Sequence, residues 1–373
     1  MKVAIDYTAA ARQRAGIGRY TRSLIHALAQ QDQTNSYTLY VPSDARYLDD
    51  AHTFPNNFRI KRAPLNERAM VTLWQRARIP LPIEVFTGES DVFYSPDFVL
   101  PPTRAKRKIL TVHDLSFKRV PETVVPNLKW YLEGAVPRAV QRADLILADS
   151  EATRKDLIEL FHAPSERVRT LYSGCDPLFQ RVTDARELTR VREQYQLQRP
   201  FILNVGTIEP RKNLTRLVQA FAQLPPRGDL ELVIAGGRGW MYDEIYAAPQ
   251  KFGVSDAVRF LGFTPDADLP ALYSLSEIFV YPSLYEGFGL PVLEAMTCGT
   301  AIVTANNSSL PEVAGDAALL VDARNTEALV SAMHCLLEDT DLRKRMQEKA
   351  LARAKLFSWE KSARELREAF EDK

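Results

Sequence analysis

The sequence predicts an α/β protein of two doubly wound domains facing a central cleft. Three observations predict it. At 373 residues the chain exceeds what one ordinary core encloses, so two domains are the starting expectation. Short runs of β-forming residues recur along it with amphipathic segments between them, the alternation that builds a parallel sheet. These runs are apolar without in/out alternation, as expected for strands covered on both faces.

In chain order, the strands of the first domain are predicted at Val3–Asp6, Tyr37–Val41, Val92–Tyr94, Lys108–Val112, Leu145–Ala148 and Val168–Tyr172. A helix beginning near Arg19 follows the first of them, with Tyr20, Leu24, Ile25 and Leu28 on its buried face. Between about Asp176 and Pro200 the pattern turns polar and charged with no strand. We therefore read residues 1–176 as one domain, 177–199 as a linker and 200–355 as the second domain. The second set of strands is Phe201–Gly206, Leu230–Ala235, Val258–Leu261, Ile278–Tyr281, Ala301–Thr304 and Ala318–Val321. Leu214, Leu217, Val218 and Phe221 mark one helical face between the first two of these. Residues 356–373 form a final amphipathic helix beyond the last strand.

Composition narrows the function. Charge is balanced, 48 Lys and Arg against 47 Asp and Glu, which argues against nucleic acid as a partner. Three cysteines, Cys175, Cys298 and Cys335, are far apart and have neither disulfide nor zinc spacing, favouring a reducing cytosol. The N-terminus opens on a strand rather than a signal peptide, and no run reaches the roughly 18 apolar residues of a membrane span. A cytoplasmic protein is expected. The basic-aromatic stretches Leu73–Arg78 and Lys106–Lys108 leave two readings open: peripheral contact with an anionic membrane face, or a solvated basic surface. Oligomeric state is not legible.

The most informative segment is Tyr285-Glu-Gly-Phe-Gly-Leu-Pro-Val-Leu-Glu294. It follows a buried strand. Gly287 and Gly289 let the backbone turn sharply with its amides uncovered, and Pro291 suits the first turn of a helix. Strand, glycine loop and helix N-terminus together make an anion site. Glu286 and Glu294, one on the loop and one about a turn into the helix, are acceptors for paired hydroxyls rather than anion ligands. Anion donors flanked by hydroxyl acceptors fit a sugar joined to a nucleotide through a diphosphate.

Other residues gather at strand ends. Gly206-Thr-Ile-Glu-Pro-Arg-Lys-Asn213 sets Arg211 and Lys212 against a helix N-terminus, where cations oppose the dipole at a cost of about 0.3–1 kcal/mol. A diphosphate gripped by the pair would explain them. Gly16-Ile-Gly18 follows the first strand but lacks the third glycine and the ribose-binding acid of a dinucleotide fingerprint. That speaks against a nicotinamide dehydrogenase. His113 terminates the strand before it, at the edge where open α/β sheets bind ligands. Asp266-Ala-Asp268 mimics a metal-binding D-x-D but opens a helix, where acids stabilise the dipole and cap; no metal ligand is expected. Ser309-Leu-Pro-Glu312 reads as a capping box.

These motifs resemble the retaining GT-B glycosyltransferases of family four along the whole chain. Glu286-x7-Glu294 matches that family's E-x7-E signature, and Gly206–Asn213 its G-x-x-x-x-R-K-N phosphate loop. Gly16-Ile-Gly18 and Val112-His113-Asp114 match its two N-terminal motifs. The resemblance implies two Rossmann-like domains, a last helix that returns to the first, and a nucleotide-sugar donor held mainly by the second. It implies that Glu294 binds the ribose and Glu286 the donor sugar. The amides of Phe288, Gly289 and Leu290, beside Gly287 and Gly206, would hold the diphosphate with Arg211 and Lys212. Gly16 and Gly18 would approach the phosphates, Gly262 and Phe263 would line the base pocket, and His113 would contact the donor sugar near its reacting carbon. No cofactor beyond the nucleotide-sugar co-substrate is implied, and preorganised cations and amides replace a metal. The wording of the phosphate and histidine motifs looks most like polysaccharide mannosyltransferases. GDP-mannose is thus the first donor, UDP-glucose or another UDP-hexose the second, with a glycan or lipid-linked acceptor. A sugar-nucleotide epimerase and a non-catalytic sugar-nucleotide binder are the rival readings.

Overall fold

The computed structural model describes residues 1–13, 16–48, 53–225 and 228–372. It divides into two compact units. One comprises Met1–Leu115, Asn127–Gly174 and Ser358–Lys373; the other comprises Ser116–Pro126 and Cys175–Phe357.

The first unit is built on a seven-stranded, wholly parallel sheet: β1 (Lys2–Asp6), β2 (Ser36–Val41), β3 (Phe58–Arg62), β4 (Val92–Ser95), β5 (Arg107–Val112), β6 (Leu145–Ala148) and β7 (Val168–Thr170). Their order is β3-β2-β1-β4-β5-β6-β7, so the winding direction reverses between β1 and β4. Strand β3 was not expected from the sequence. Phe-Arg-Ile-Lys-Arg lies at the sheet edge with only Phe58 buried, so its composition follows solvent rather than a two-faced core. Leu24, Ile25 and Leu28 of the helix Ile17–Gln31 pack with Ile5, Tyr37 and Leu39. The last helix, Trp359–Glu371, adds Trp359, Leu366 and Phe370 to the same core.

The second unit carries six parallel strands: β8 (Phe201–Val205), β9 (Glu231–Ala235), β10 (Val258–Gly262), β11 (Ile278–Tyr281), β12 (Ile302–Ala305) and β13 (Leu319–Val321). The order β10-β9-β8-β11-β12-β13 puts its reversal between β8 and β11. The strands β8, β9, β11 and β12 are buried at every position, which is why they read as largely apolar runs without in/out alternation.

The stretch 177–199 is not a bare linker. It holds a helix, Ala185–Gln194, capped by Asp184 and buried only at Val191. With so narrow an apolar stripe, its composition resembles that of a loop. Asp268 fastens it, accepting from Arg190 (2.6 Å), Gln194 (2.9 Å) and Tyr195 (2.6 Å). The excursion Ser116–Pro126 joins the second unit partly through the Trp240 indole, which donates to the Thr123 carbonyl at 2.8 Å. Among the described residues no helix is long and apolar enough to cross a membrane.

Candidate active site

Open α/β sheets bind ligands beyond the carboxyl ends of their strands where the winding reverses. In the second unit that point is flanked by the segments following β8 and β11, and there the sequence concentrates its motifs. After β8 the chain passes Gly206 into a tight turn, Pro210–Lys212, and Asn213 takes a left-handed conformation (φ 58°) at the start of the helix Leu214–Ala222. The Asn213 side-chain amide donates to the carbonyls of Pro282 (3.0 Å) and Ala323 (2.7 Å), tying this turn to the segments after β11 and β13.

Arg211 and Lys212 point into a cluster that the sequence reading did not anticipate. Arg211 pairs with Glu209 at 2.6 Å and with Glu286 at 2.7 Å, while Lys212 pairs with the other Glu286 oxygen at 2.7 Å. Tyr281 (2.9 Å) and Ser283 (2.6 Å) also donate to that second oxygen. All four charged side chains are at least mostly buried, and two positive charges balance two negative ones. The cations at the helix start therefore have carboxylate partners, and a bound diphosphate is not needed to account for them. Burial favours a neutral Glu286, but Arg211 and Lys212 outweigh it and lower its pKa to about 2. Burial and the adjacent Arg211 push Lys212 down.

Glu209 is the residue sequence reasoning missed. It is 1% exposed, and its Oε2 has no hydrogen-bond partner among the described residues. Its place two residues before Arg211 was visible, but only the turn Pro210–Lys212 brings the two side chains together.

The loop after β11 leads into the helix Leu290–Thr297, with Pro291 in its first turn and Gly289 (φ 103°) at its start. A Cβ on Gly289 would lie 2.8 Å from the Leu310 side chain, so that position needs glycine for both conformation and space. Ser309 does not cap its own helix. Its buried hydroxyl lies 2.8 Å from the Phe288 carbonyl and 3.0 Å from that of Glu286, and Ser308 accepts from the Glu286 amide at 3.0 Å. The predicted capping box is instead a clamp on the glycine loop: a tertiary acceptor outcompetes the local one. Glu294 is buried in the helix and accepts from the Tyr273 hydroxyl at 2.9 Å.

A second glycine segment, Gly236 to Gly239 after β9, closes against Gly206 and Thr207 after β8. A Cβ on Gly236 would sit 1.9 Å from the Gly206 carbonyl oxygen, and one on Gly239 would sit 2.7 Å from the Thr207 methyl. Gly262 ends β10 with φ 72°, and Phe263 beyond it is 62% exposed. Asp268, the decoy acid, is engaged with Arg190 and Tyr195 as described above, which lowers its pKa despite burial. It stands at the N-cap position of the helix Leu269–Leu275, but its side chain makes no capping bond there and fastens the helix Ala185–Gln194 instead.

In the first unit, Gly16 (φ 58°) starts the helix Ile17–Gln31. Gly18 in its first turn is buried, and a Cβ there would lie 2.1 Å from the Gln13 carbonyl oxygen. The second glycine of the motif thus permits a close backbone approach. His113 follows β5 directly and is buried. Its Nδ1 lies 2.7 Å from Asp149 Oδ2 and its Nε2 2.9 Å from the Pro96 carbonyl, so both ring nitrogens are engaged. Of the basic-aromatic stretches, Trp74 donates to the Leu81 carbonyl at 2.8 Å and packs near Tyr40 and Phe86. Arg107 donates to the Ala369 carbonyl. Arg76, Arg78 and Lys106 remain exposed.

Comparison with known proteins identifies the family. Residues 185–353 match the family described as glycosyl transferases group 1, and residues 14–178 match Glycosyltransferase Family 4. The chain is 34% identical to the O-antigen chain mannosyltransferase B of Escherichia coli, over 92% of this chain and 93% of that protein. Among solved structures it resembles Anabaena Alr3699/HepE in complex with UDP and glucose (TM-score 0.78, 20% identity, 100% and 99% covered). It also resembles a sucrose-phosphate synthase from Thermosynechococcus elongatus (TM-score 0.77, 21% identity, 100% and 98% covered). At these identities the structural likeness speaks for the fold.

Proposed function

The chain belongs to the family-four GT-B glycosyltransferases, in their mannosyltransferase-like branch, and from that premise we infer that it transfers mannose from GDP-mannose to a growing surface polysaccharide. The observation that supports the nucleotide-sugar part of this reading is the buried cluster of Glu209, Arg211, Lys212 and Glu286 at the reversal of the second sheet. It sits beside the glycine loop and the helix bearing Glu294. The cations and loop amides are suited to a diphosphate, and Glu286 and Glu294 to sugar and ribose hydroxyls. On binding, donor hydroxyls take up Glu286 while phosphate oxygens take up Arg211 and Lys212, so each group exchanges one partner for another.

Transfer breaks the bond between the sugar's anomeric carbon and the phosphate oxygen and forms one from that carbon to an acceptor hydroxyl. The acceptor proton passes to the departing diphosphate. Arg211, Lys212 and the loop amides stabilise the negative charge that develops there, which makes a divalent metal dispensable. Glu286 and Glu294 are engaged by cations and hydroxyl donors, so neither is free to form the covalent intermediate of a double displacement, and a same-face transfer without one is the route the family resemblance suggests. We assign His113 to the transfer as well, on the strength of the family resemblance alone.

The donor preference rests on the mannosyltransferase relative. A UDP-hexose donor is the second reading, since the HepE structure holds UDP and glucose. A thermal-shift screen of nucleotide sugars separates them, because a ligand bound only by the native state raises its melting temperature. GDP and GDP-mannose are expected to stabilise the protein more than UDP and UDP-glucose at equal concentration. The opposite order assigns the UDP-hexose donor.

A further inference from the structure

A buried ion pair stands behind His113 and holds its ring. Asp149 directly follows β6, the neighbour of β5 in the sheet. Register pairs Val112 with Ala148, so the next residues, His113 and Asp149, leave the sheet side by side. Asp149 Oδ2 meets His113 Nδ1 at 2.7 Å, and its other oxygen is buried with no hydrogen-bond partner among the described residues. On the far side of the ring, Nε2 meets the Pro96 carbonyl at 2.9 Å. A carbonyl can only accept, and an ionised carboxylate can only accept. With Asp149 ionised, satisfying both contacts requires a proton on each ring nitrogen; burial pushes the Asp149 carboxyl up, while the His113 charge and hydrogen bond pull it back down.

We propose that Asp149 is a positioning residue that fixes the His113 ring in one orientation and holds it as a cation, so that His113 offers substrate a fixed positive charge and never acts as a base. The proposal rests on the reading that His113 takes part in transfer.

The surroundings are consistent from each element packed on the ring. After β4 come the Pro96 carbonyl and the Asp97 carboxylate; after β6 comes Asp149, itself influenced by Asp114. From the helix Ile17–Gln31 the Tyr20 ring meets the imidazole edge-on with centroids 4.8 Å apart. Tyr94 of β4 stands beyond, bonded to Thr111 of β5 at 2.8 Å. Both phenols are buried and pushed above their ordinary value by burial, so they stay neutral. Burial works against a charged His113, but the Asp149 charge and hydrogen bond, with Asp97 and the Pro96 carbonyl, outweigh it and raise the pKa to about 9. Thr153, in the first turn of the helix after Asp149, completes the tie by donating to the His113 carbonyl at 3.3 Å.

The test joins a titration to a rate profile. In the full chain with ring-labelled histidine, the His113 resonance, identified by its loss in His113→Ala, is followed by NMR against pH. It is expected to titrate near 9 in the parent and at least two pH units lower in Asp149→Asn. Turnover of the parent is expected to hold through neutral pH and fall above about 9. In Asp149→Asn the alkaline limb moves down with the resonance, and part of the lost rate returns on acidification. A parent resonance titrating near the ordinary 6.5 overturns the proposal without any Asp149 variant, so it stays falsifiable should that variant misfold. So does an Asp149→Asn protein with unmoved midpoint and unmoved rate profile. If His113→Ala turns over like the parent, the transfer role of His113 falls, and the positioning role with it, even where the titration is as expected.

Discussion

Glu286 has two kinds of partner, cations and hydroxyl donors, and the two kinds predict different behaviour. Because its pKa is lowered to about 2 from an ordinary 4.5, its ionised form favours the folded state. That stabilisation is fully present above the ordinary value and is lost as pH falls through about 2. In Glu286→Gln, unfolding free energy measured by denaturant titration is expected to fall less steeply between pH 5 and 2 than in the parent. An identical slope would mean the ion pairs carry no net stability. Removing the cations is a different experiment. The helix-dipole argument alone makes Arg211→Ala with Lys212→Ala slightly stabilising, by tenths of a kcal/mol. The structure reverses that expectation, since the change leaves Glu209 and Glu286 buried without counter-charge, a loss on the order of 3–5 kcal/mol. A melting temperature lower by roughly 10 °C is expected, and an unchanged or higher one would restore the dipole account.

At the scale of elements, the glycine loop and the helix after it were legible because each signal was local: an apolar strand, two glycines, a proline in the first turn. The buried strands were legible for the same reason. What escaped the sequence depended on partners far along the chain. β3 is an edge strand whose polar residues obey solvent. The helix Ala185–Gln194 buries one apolar residue and is held by Asp268, more than seventy residues away. Ser309 fits a capping pattern, yet its hydroxyl serves the carbonyls of Phe288 and Glu286. Hence Ser309→Ala is expected to act on the loop rather than on its own helix. It should raise the KM for donor several-fold, with a stability loss of about 1–2 kcal/mol from the unsatisfied carbonyls. Unchanged KM with the same stability loss would mark Ser309 as packing only.

At the scale of the whole molecule, the chain leaves the first unit at residue 115 and again at 174, and returns for good at 358. Sequence periodicity located the two sheets, but not the excursion Ser116–Pro126, whose few residues carry no period of their own. The last return matters most for stability. Trp359, Leu366 and Phe370 are buried in the first unit's core, each worth about 1.5–3 kcal/mol, against a total stability of about 5–15 kcal/mol for a typical domain. A chain ending at Phe357 is expected to lose cooperative unfolding of the first unit, seen as rapid proteolysis within residues 1–115 and 127–174. Parent-like resistance would show that the helix is dispensable.

The central claim is that a nucleotide-sugar diphosphate departs with help from Arg211, Lys212 and the loop amides at the reversal of the second sheet, with no metal in that role. Its most direct test is the initial rate of GDP release from GDP-mannose, in the presence of a mannan acceptor, with and without EDTA. Release is expected to depend on acceptor and to stay, with EDTA, within about twofold of the untreated rate. Release abolished by EDTA and restored by a divalent cation would contradict the claim.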